Sequence, residues 1–174
     1  AKYFLHVGTL EPRKNISGII KALARLHAAY PNFTLVLVGG CGWMYSKLLR
    51  DIKKRDYIKY LGYQKTPVKD AIYKLSYAFI WSSFYEGFGF PPLEALTHKK
   101  PVISSFKTSL PETLGNHAIY VDPYSVSDMY MAMKMLIEDQ QLYLSLITDS
   151  FDLPEWPNQS FEILNIFNKI VKQK

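Results

Sequence analysis

The feature that most constrains this chain is a regular alternation of short apolar runs with segments of helical periodicity, repeated from end to end. Residues 3–7 form a β-prone run closed by Gly8. Residues 16–30 then place Ile16, Ile19, Ile20, Leu23 and Leu26 at helical spacing before Pro31 stops them. Further strands are predicted over 33–38, 57–61, 77–82, 102–104 and 118–121. Helices are predicted over 43–55, 68–75, 93–97, 110–114, 127–137 and 161–171. The run from Phe33 to Val38 is almost continuously apolar, as expected of a strand covered on both faces. Repeated β–α–β units with short connections predict a doubly wound, mostly parallel, Rossmann-like α/β sheet of about six strands. Ligands of such sheets sit outside the carboxyl ends of the strands. The segments of interest are therefore 8–15, 39–42, 62–65, 82–94 and 104–109.

At 174 residues, 48% of them hydrophobic and with no linker-like stretch, residues 1–174 read as one folding unit whose last part, 151–174, is a helical tail. The longest apolar runs are far shorter than a membrane span, and no signal segment opens the chain. The chain begins at Ala1 and enters a strand almost at once, which reads as a piece cut or processed from something longer. Its one cysteine, Cys41, cannot make an internal disulfide and suits a reducing cytoplasm. The formal charge of +6 attracts anions of any kind: nucleic acid, lipid head groups and nucleotide phosphates alike. The densest basic run, Lys53-Lys54-Arg55, reads as the solvated end of a helix.

Two loops carry chemistry. In the first, Gly8-Thr9-Leu10-Glu11-Pro12-Arg13-Lys14-Asn15 runs straight into a helix, so two adjacent cations stand at a helix N-terminus where backbone N–H groups are also free, a combination that suits a phosphate. An exposed surface pair is the plainer alternative. The second loop runs from Ser82 to Glu94 and contains Glu86-Gly87-Phe88-Gly89-Phe90-Pro91-Pro92. Gly87 and Gly89 allow close backbone approach to a ligand, and the prolines preset a helix start. Glu86 before the turn and Glu94 one turn into the helix could grip two hydroxyl-bearing parts of one ligand. Equally, Glu94 could be a helix-dipole acid and Gly-Phe-Gly a simple turn.

The two loops together resemble the retaining glycosyltransferase family 4, whose members have the GT-B architecture. So do Leu61-Gly62-Tyr63, Lys100-Pro101-Val102-Ile103-Ser104-Ser105, Ser109-Leu110-Pro111-Glu112 and Tyr120-Val121-Asp122-Pro123, all in family order. The form of the first loop is similar to that of bacterial mannosyltransferases of polysaccharide assembly. The resemblance implies a C-terminal domain that binds a nucleoside-diphosphate sugar, with GDP-mannose favoured over UDP-sugars. Arg13, Lys14, Gly87, Phe88 and Gly89 would meet the donor diphosphate, and Glu94 the ribose. Glu86, Phe88, Gly89 and Phe90 would meet the transferred sugar, with Tyr63 and Gln64 at the base pocket. Glu86 would be the catalytic candidate, as a holder of the sugar and not as a nucleophile. No Asp-x-Asp occurs, so neither metal nor other cofactor is expected. The expected partners are the donor, an N-terminal acceptor-binding domain, and a lipid-linked glycan acceptor that would bring the protein to the inner face of the membrane.

The sequence departs from the family at Thr9, where many members carry an arginine, and at Thr97-His98-Lys99. Segment 152–159 matches the family's closing region only through Trp156. Gly39-Gly40-Cys41-Gly42 lacks the third glycine of a dinucleotide fingerprint and reads as a strand-to-helix turn near the donor base. His6, His27, His98 and His117 have no metal-ligand spacing. Two other functions stand against the enzyme reading: a stand-alone nucleotide-binding module that never catalyses, and a basic nucleic-acid-binding domain. Glu86 and Glu94 count against the latter, since carboxylates in an anion cleft repel a polyphosphate backbone. The last helix carries an apolar stripe wider than one sheet face needs. It is expected either to cross to another domain or to pack on its own core.

Overall fold

The computed structural model describes residues 2–148, 151 and 156–172. Six parallel strands, β1 (Lys2–Val7), β2 (Phe33–Val38), β3 (Ile58–Tyr60), β4 (Ala78–Trp81), β5 (Val102–Ser105) and β6 (Ala118–Val121), form one sheet in the order β3-β2-β1-β4-β5-β6. The order reverses between β1 and β4, so the loops after these two strands diverge to opposite faces and leave a crevice. Helices α1 (Ile16–Ala29), α2 (Ser46–Lys53), α3 (Thr66–Leu75), α4 (Phe90–Thr97), α5 (Leu110–Leu114), α6 (Val126–Glu138), α7 (Gln140–Thr148) and α8 (Trp156–Lys172) complete the described chain.

Side chains alternate across each strand, which is why the sheet has two cores. Phe4, Leu35, Leu37, Ile80 and Ile103 face α1, α2 and α6, where they meet Ile19, Leu23, Leu26, Met129, Met133 and Leu136. Leu5, Val36, Phe79 and Val102 face α3, α4 and α5, meeting Tyr73, Leu93, Leu96, Leu110 and Leu114. Burial of each such large side chain stabilises the fold by about 1.5–3 kcal/mol relative to exposure.

The differences from the sequence reading have local causes. The helix expected over 43–55 begins only at Ser46, because Met44 takes a left-handed φ of 52° and the chain is still turning. The first loop does not run directly into α1. Pro12–Lys14 forms a 3-10 turn, and Asn15, at φ 54°, redirects the chain before Ile16. Helix α7 was not foreseen; Asp139 accepts from the Leu142 amide at its start, and Tyr143 stacks on Tyr77 with centroids 4.8 Å apart. Of the expected tail, residues 152–155 and 173–174 lie outside the described residues, as does Ala1, so the match claimed for 152–159 is largely outside them too. In α8 the apolar stripe is not packed on the chain's own core: Phe161, Ile163, Leu164, Ile166, Phe167, Ile170 and Val171 are 54–71% exposed.

Gly39 holds the first two loops together. Its φ is 140°, its amide donates to the Gly62 carbonyl at 2.8 Å, and a Cβ there would lie 2.1 Å from the Gly8 carbonyl oxygen. Gly40 has open space around it. Gly39→Ala should therefore lower stability by roughly 2–4 kcal/mol in urea titration, since backbone must move to admit the methyl group. Gly40→Ala should change stability by less than about 0.5 kcal/mol.

Candidate functional site

The loops after β1 and β4 meet at the crevice and are tied to each other. The Phe84 amide donates to the Arg13 carbonyl at 2.9 Å, and the Arg13 guanidinium donates to the Tyr85 carbonyl at 2.7 Å. Asn15, whose backbone turns the first loop, donates from Nδ2 to the Pro123 carbonyl at 2.6 Å. These bonds join residues 71, 72 and 108 positions apart in sequence.

Lys14 and Glu86 lie at the centre. Lys14 Nζ is 2.7 Å from Glu86 Oε1, and Arg13 Nη1 is 2.9 Å from Glu86 Oε2. Arg13 also reaches Glu11 at 2.6 Å. The Lys14 and Glu86 side chains are 10% and 8% exposed, whereas that of Arg13 is 37% exposed. Burial tends to raise the Glu86 pKa, but the ion pairs with Lys14 and Arg13 outweigh it and hold the carboxyl below its ordinary range. Burial is also the largest influence on Lys14, and lowers its pKa against the opposing pull of Glu86. The backbone of Glu86 is clamped as well: its amide donates to Thr108 Oγ1 at 3.0 Å, and Ser109 Oγ donates to its carbonyl at 3.1 Å.

Beneath this pair lies a feature that the sequence reading missed. Lys14 Nζ sits 4.2 Å from the centroid of the Trp81 ring, a cation–π contact with a fully buried indole. His6 stacks on Trp81 with centroids 4.8 Å apart. Burial first, and the nearby Lys14 charge after it, push the His6 pKa down to about 4, so the ring is neutral near pH 7. Its Nδ1 lies 3.1 Å from the Ile80 carbonyl and must carry the proton, which leaves Nε2 a bare acceptor without a partner among the described residues. Nothing in the spacing of His6 and Trp81 announces the contact, since they are 75 positions apart and meet only because β1 and β4 are neighbours.

The remaining predicted residues divide into two groups. Gly87, Phe88 and Gly89 follow Glu86 directly, and among the described residues their amides have no hydrogen-bond acceptor. These free donors stand at the start of α4. Gly89 has φ 96°, and a Cβ there would lie 2.6 Å from Leu110. Phe88 and Phe90 are 41% and 56% exposed and pack on each other at 4.9 Å. Glu94 does not share the Glu86 cluster. It lies on α4 beside α3, where Lys69 Nζ meets both its oxygens at 2.9 and 2.8 Å. Lys69 is the second residue that the sequence reading missed. Tyr63 is 79% exposed, and Gln64 donates to the Leu61 carbonyl at 2.6 Å. Among the described residues no group of three His, Cys, Asp or Glu side chains could hold a metal ion, and no helix is long and apolar enough to cross a membrane.

The family model for "Glycosyl transferases group 1" matches residues 1–150. The chain is 36% identical over 144 residues to O-antigen chain mannosyltransferase B of Escherichia coli, covering 79% of this chain and 37% of that protein. It is 28% identical over 183 residues to the serotype-specific mannosyltransferase WbdA of Escherichia coli, covering 98% of this chain and 22% of that protein. The chain thus spans well under half the length of these relatives. Among solved structures it resembles Anabaena Alr3699/HepE in complex with UDP and glucose, with a TM-score of 0.74 and 23% identity, over 84% of this chain and 41% of that one. The C-terminal domain of a glycosyl transferase group 1 family protein, LpcC of Francisella tularensis, superposes with a TM-score of 0.75 at 22% identity, over 84% and 80% of the two chains. These structural likenesses establish the fold: one Rossmann-like half of a GT-B architecture.

The buried pair has a measurable consequence for stability. Glu86→Gln removes the charge that compensates Lys14 and should cost about 2–4 kcal/mol at neutral pH. The folded pKa of Glu86 is depressed below its ordinary 4.5, so its contribution is complete above that value and is lost as pH falls through the folded one. Urea titrations of parent and variant should therefore differ at pH 7 and converge as the pH is lowered below 4.5.

Proposed function

The chain belongs to the glycosyl transferases group 1 family, and from that premise we propose that it is the donor-binding domain of a retaining family 4 glycosyltransferase. The observation that carries the proposal is the arrangement at the sheet's reversal point. Arg13 and Lys14 both hold the buried Glu86 carboxylate there, and the Gly87, Phe88 and Gly89 amides that follow it have no acceptor among the described residues. Arg13, Lys14 and the Gly87, Phe88 and Gly89 amides bind the donor diphosphate and stabilise the charge that develops on it as the leaving group. Glu86, with Phe88, Gly89 and Phe90, holds the hydroxyls of the transferred sugar. Glu94 accepts from the ribose hydroxyls, and Tyr63 and Gln64 border the base.

The names of the relatives support mannose as the sugar and GDP-mannose as the donor, for a polysaccharide or lipid-linked acceptor. The neighbour crystallised with UDP and glucose supports a nucleoside diphosphate in this crevice. In the proposed reaction the acceptor hydroxyl attacks the anomeric carbon from the face that the diphosphate leaves. Its oxygen forms the new bond, the carbon–phosphate-oxygen bond breaks, and the leaving phosphate takes the proton. Glu86 is not the nucleophile. Lys14 and Arg13 hold both its oxygens, which suits an anchor more than an attacking group. The chain needs no metal or other cofactor for this role. A second domain supplies the acceptor site and closes the cleft against water, and a lipid-linked acceptor keeps the whole protein at the cytoplasmic face of a membrane.

Calorimetry tests the division of labour. Glu94→Ala should weaken GDP and GDP-mannose alike by about 2–4 kcal/mol, because both contain ribose. Glu86→Gln should leave GDP affinity undiminished, since it frees Lys14 and Arg13, and should weaken GDP-mannose alone. Equal losses of both ligands in both variants would sink the assignment. The purified 174-residue chain should bind donor with a Kd between about micromolar and millimolar. It should transfer no sugar until joined to an acceptor domain, and turnover by the chain alone would overturn the half-enzyme reading.

A further inference from the structure

We infer that α2 and the edge strand β3 form a docking surface for a lipid bilayer carrying anionic head groups. Between Lys47 and Lys59 stand six cations, Lys47, Arg50, Lys53, Lys54, Arg55 and Lys59, against Asp51 and Asp56, a net +4 of the chain's +6. The charge is also ordered in space. Helix α2 buries Leu48 and Ile52, so its outward face is Ser46, Lys47, Arg50, Lys53 and Lys54, all exposed. Every charged residue on that face is a cation, while Asp51 is half-buried to one side. The basic run that reads in sequence as a solvated helix end is therefore one end of a continuous cationic face.

Two further observations point to a bilayer as the occupant. Immediately before α2, Trp43 and Met44 are 56% and 76% exposed, large apolar side chains at the end of the cationic face. Between the helix and β3 lies a crevice of about 380 Å³. Lys53, Arg55 and Lys59 line it together with one carboxylate, Asp56, and with Leu61, which is 44% exposed. A row of ammonium and guanidinium groups attracts the phosphates of anionic lipids, and lysine stems lie along the interface. An indole beside them sits well at head-group depth, and a short amphipathic helix can lie in the interfacial plane. A polynucleotide would use the cations but leaves Met44 and Leu61 without purpose. This face is also separate from the Lys14–Glu86 cluster, because β2 stands between β3 and β1. The inference does not depend on the donor reading.

Co-sedimentation of the whole chain with vesicles, without nucleotide, tests it. The chain should sediment with phosphatidylcholine–phosphatidylglycerol vesicles and not with pure phosphatidylcholine, and high salt should release it. Bound chain should show a blue shift in tryptophan emission that Trp43→Ala removes. The triple variant K47E/R50E/K53E should lose roughly a hundredfold or more in vesicle affinity, with circular dichroism and Tm unchanged. A matched reversal elsewhere, K21E/R25E/K74E, should keep the binding. Should the first triple variant fail to fold, W43A/M44A tests the same face without altering charge, and it too should weaken sedimentation. Failure to bind anionic vesicles, equal binding to neutral ones, or equal loss in both triple variants would overturn the inference. So would capture of a duplex oligonucleotide by a chain that leaves the vesicles in solution.

Discussion

The contact on which the rest of the site depends is the buried ion pair between Lys14 and Glu86, whose ammonium lies over the face of Trp81. Removing two charges from water costs several kcal/mol each, so such a pair survives only where geometry and further hydrogen bonds are good. Here Arg13 takes the second carboxylate oxygen, and Thr108 and Ser109 fix the backbone that carries Glu86. One interaction thereby joins the loops after β1, β4 and β5. Gly8 is part of the same construction, since a Cβ there would lie 3.0 Å from the Trp81 ring, closer than ordinary packing allows.

The pairing also decides what the chain's positive charge can do. Arg13 and Lys14 are not free cations waiting at a helix end; their charge is already shared with Glu86 and Glu11. Glu94 is likewise matched by Lys69. A ligand that enters the crevice must exchange with these partners, and its affinity is a difference between two sets of charge-assisted bonds. That favours a molecule offering phosphate to the cations and hydroxyls to the carboxylates together. A bare anion offers only the first.

The motifs that stand in order along the sequence turn out to be cross-links between neighbouring loops. Asn15 of the first loop binds the carbonyl of Pro123, and Ser105 Oγ donates to the carbonyl of Ser83. Ser109 binds Glu86, Leu110 packs under Gly89, and Gly62 accepts from Gly39. The sheet, its parallel strands and the carboxyl-end location of the loops were therefore legible from periodicity and turn residues. Lys69 was not legible, because a lone lysine on a helix has no signature until α3 lies beside α4. His6 and Trp81 were not either, because inside apolar strands they look like any other core position. The start of α2 was misplaced for a local reason: Met44 is a good helix former, yet here it takes a left-handed φ of 52° and the helix begins only at Ser46.

By itself the sequence determined the α/β layering, the strands and the segments where a ligand site could form, because hydrophobic period and glycine or proline turns act over a few residues. It also determined which chemical groups, two cations, two carboxylates and a glycine-rich turn, would be available there. Only the tertiary structure decided how they pair. Lys14 and Arg13 go to Glu86, Lys69 goes to Glu94, and Trp81 supports Lys14 because strand order brings together residues that are 25 to 73 positions apart. Electrostatic partnership depends on distance and burial in space, and neither is written in the local spacing of the chain.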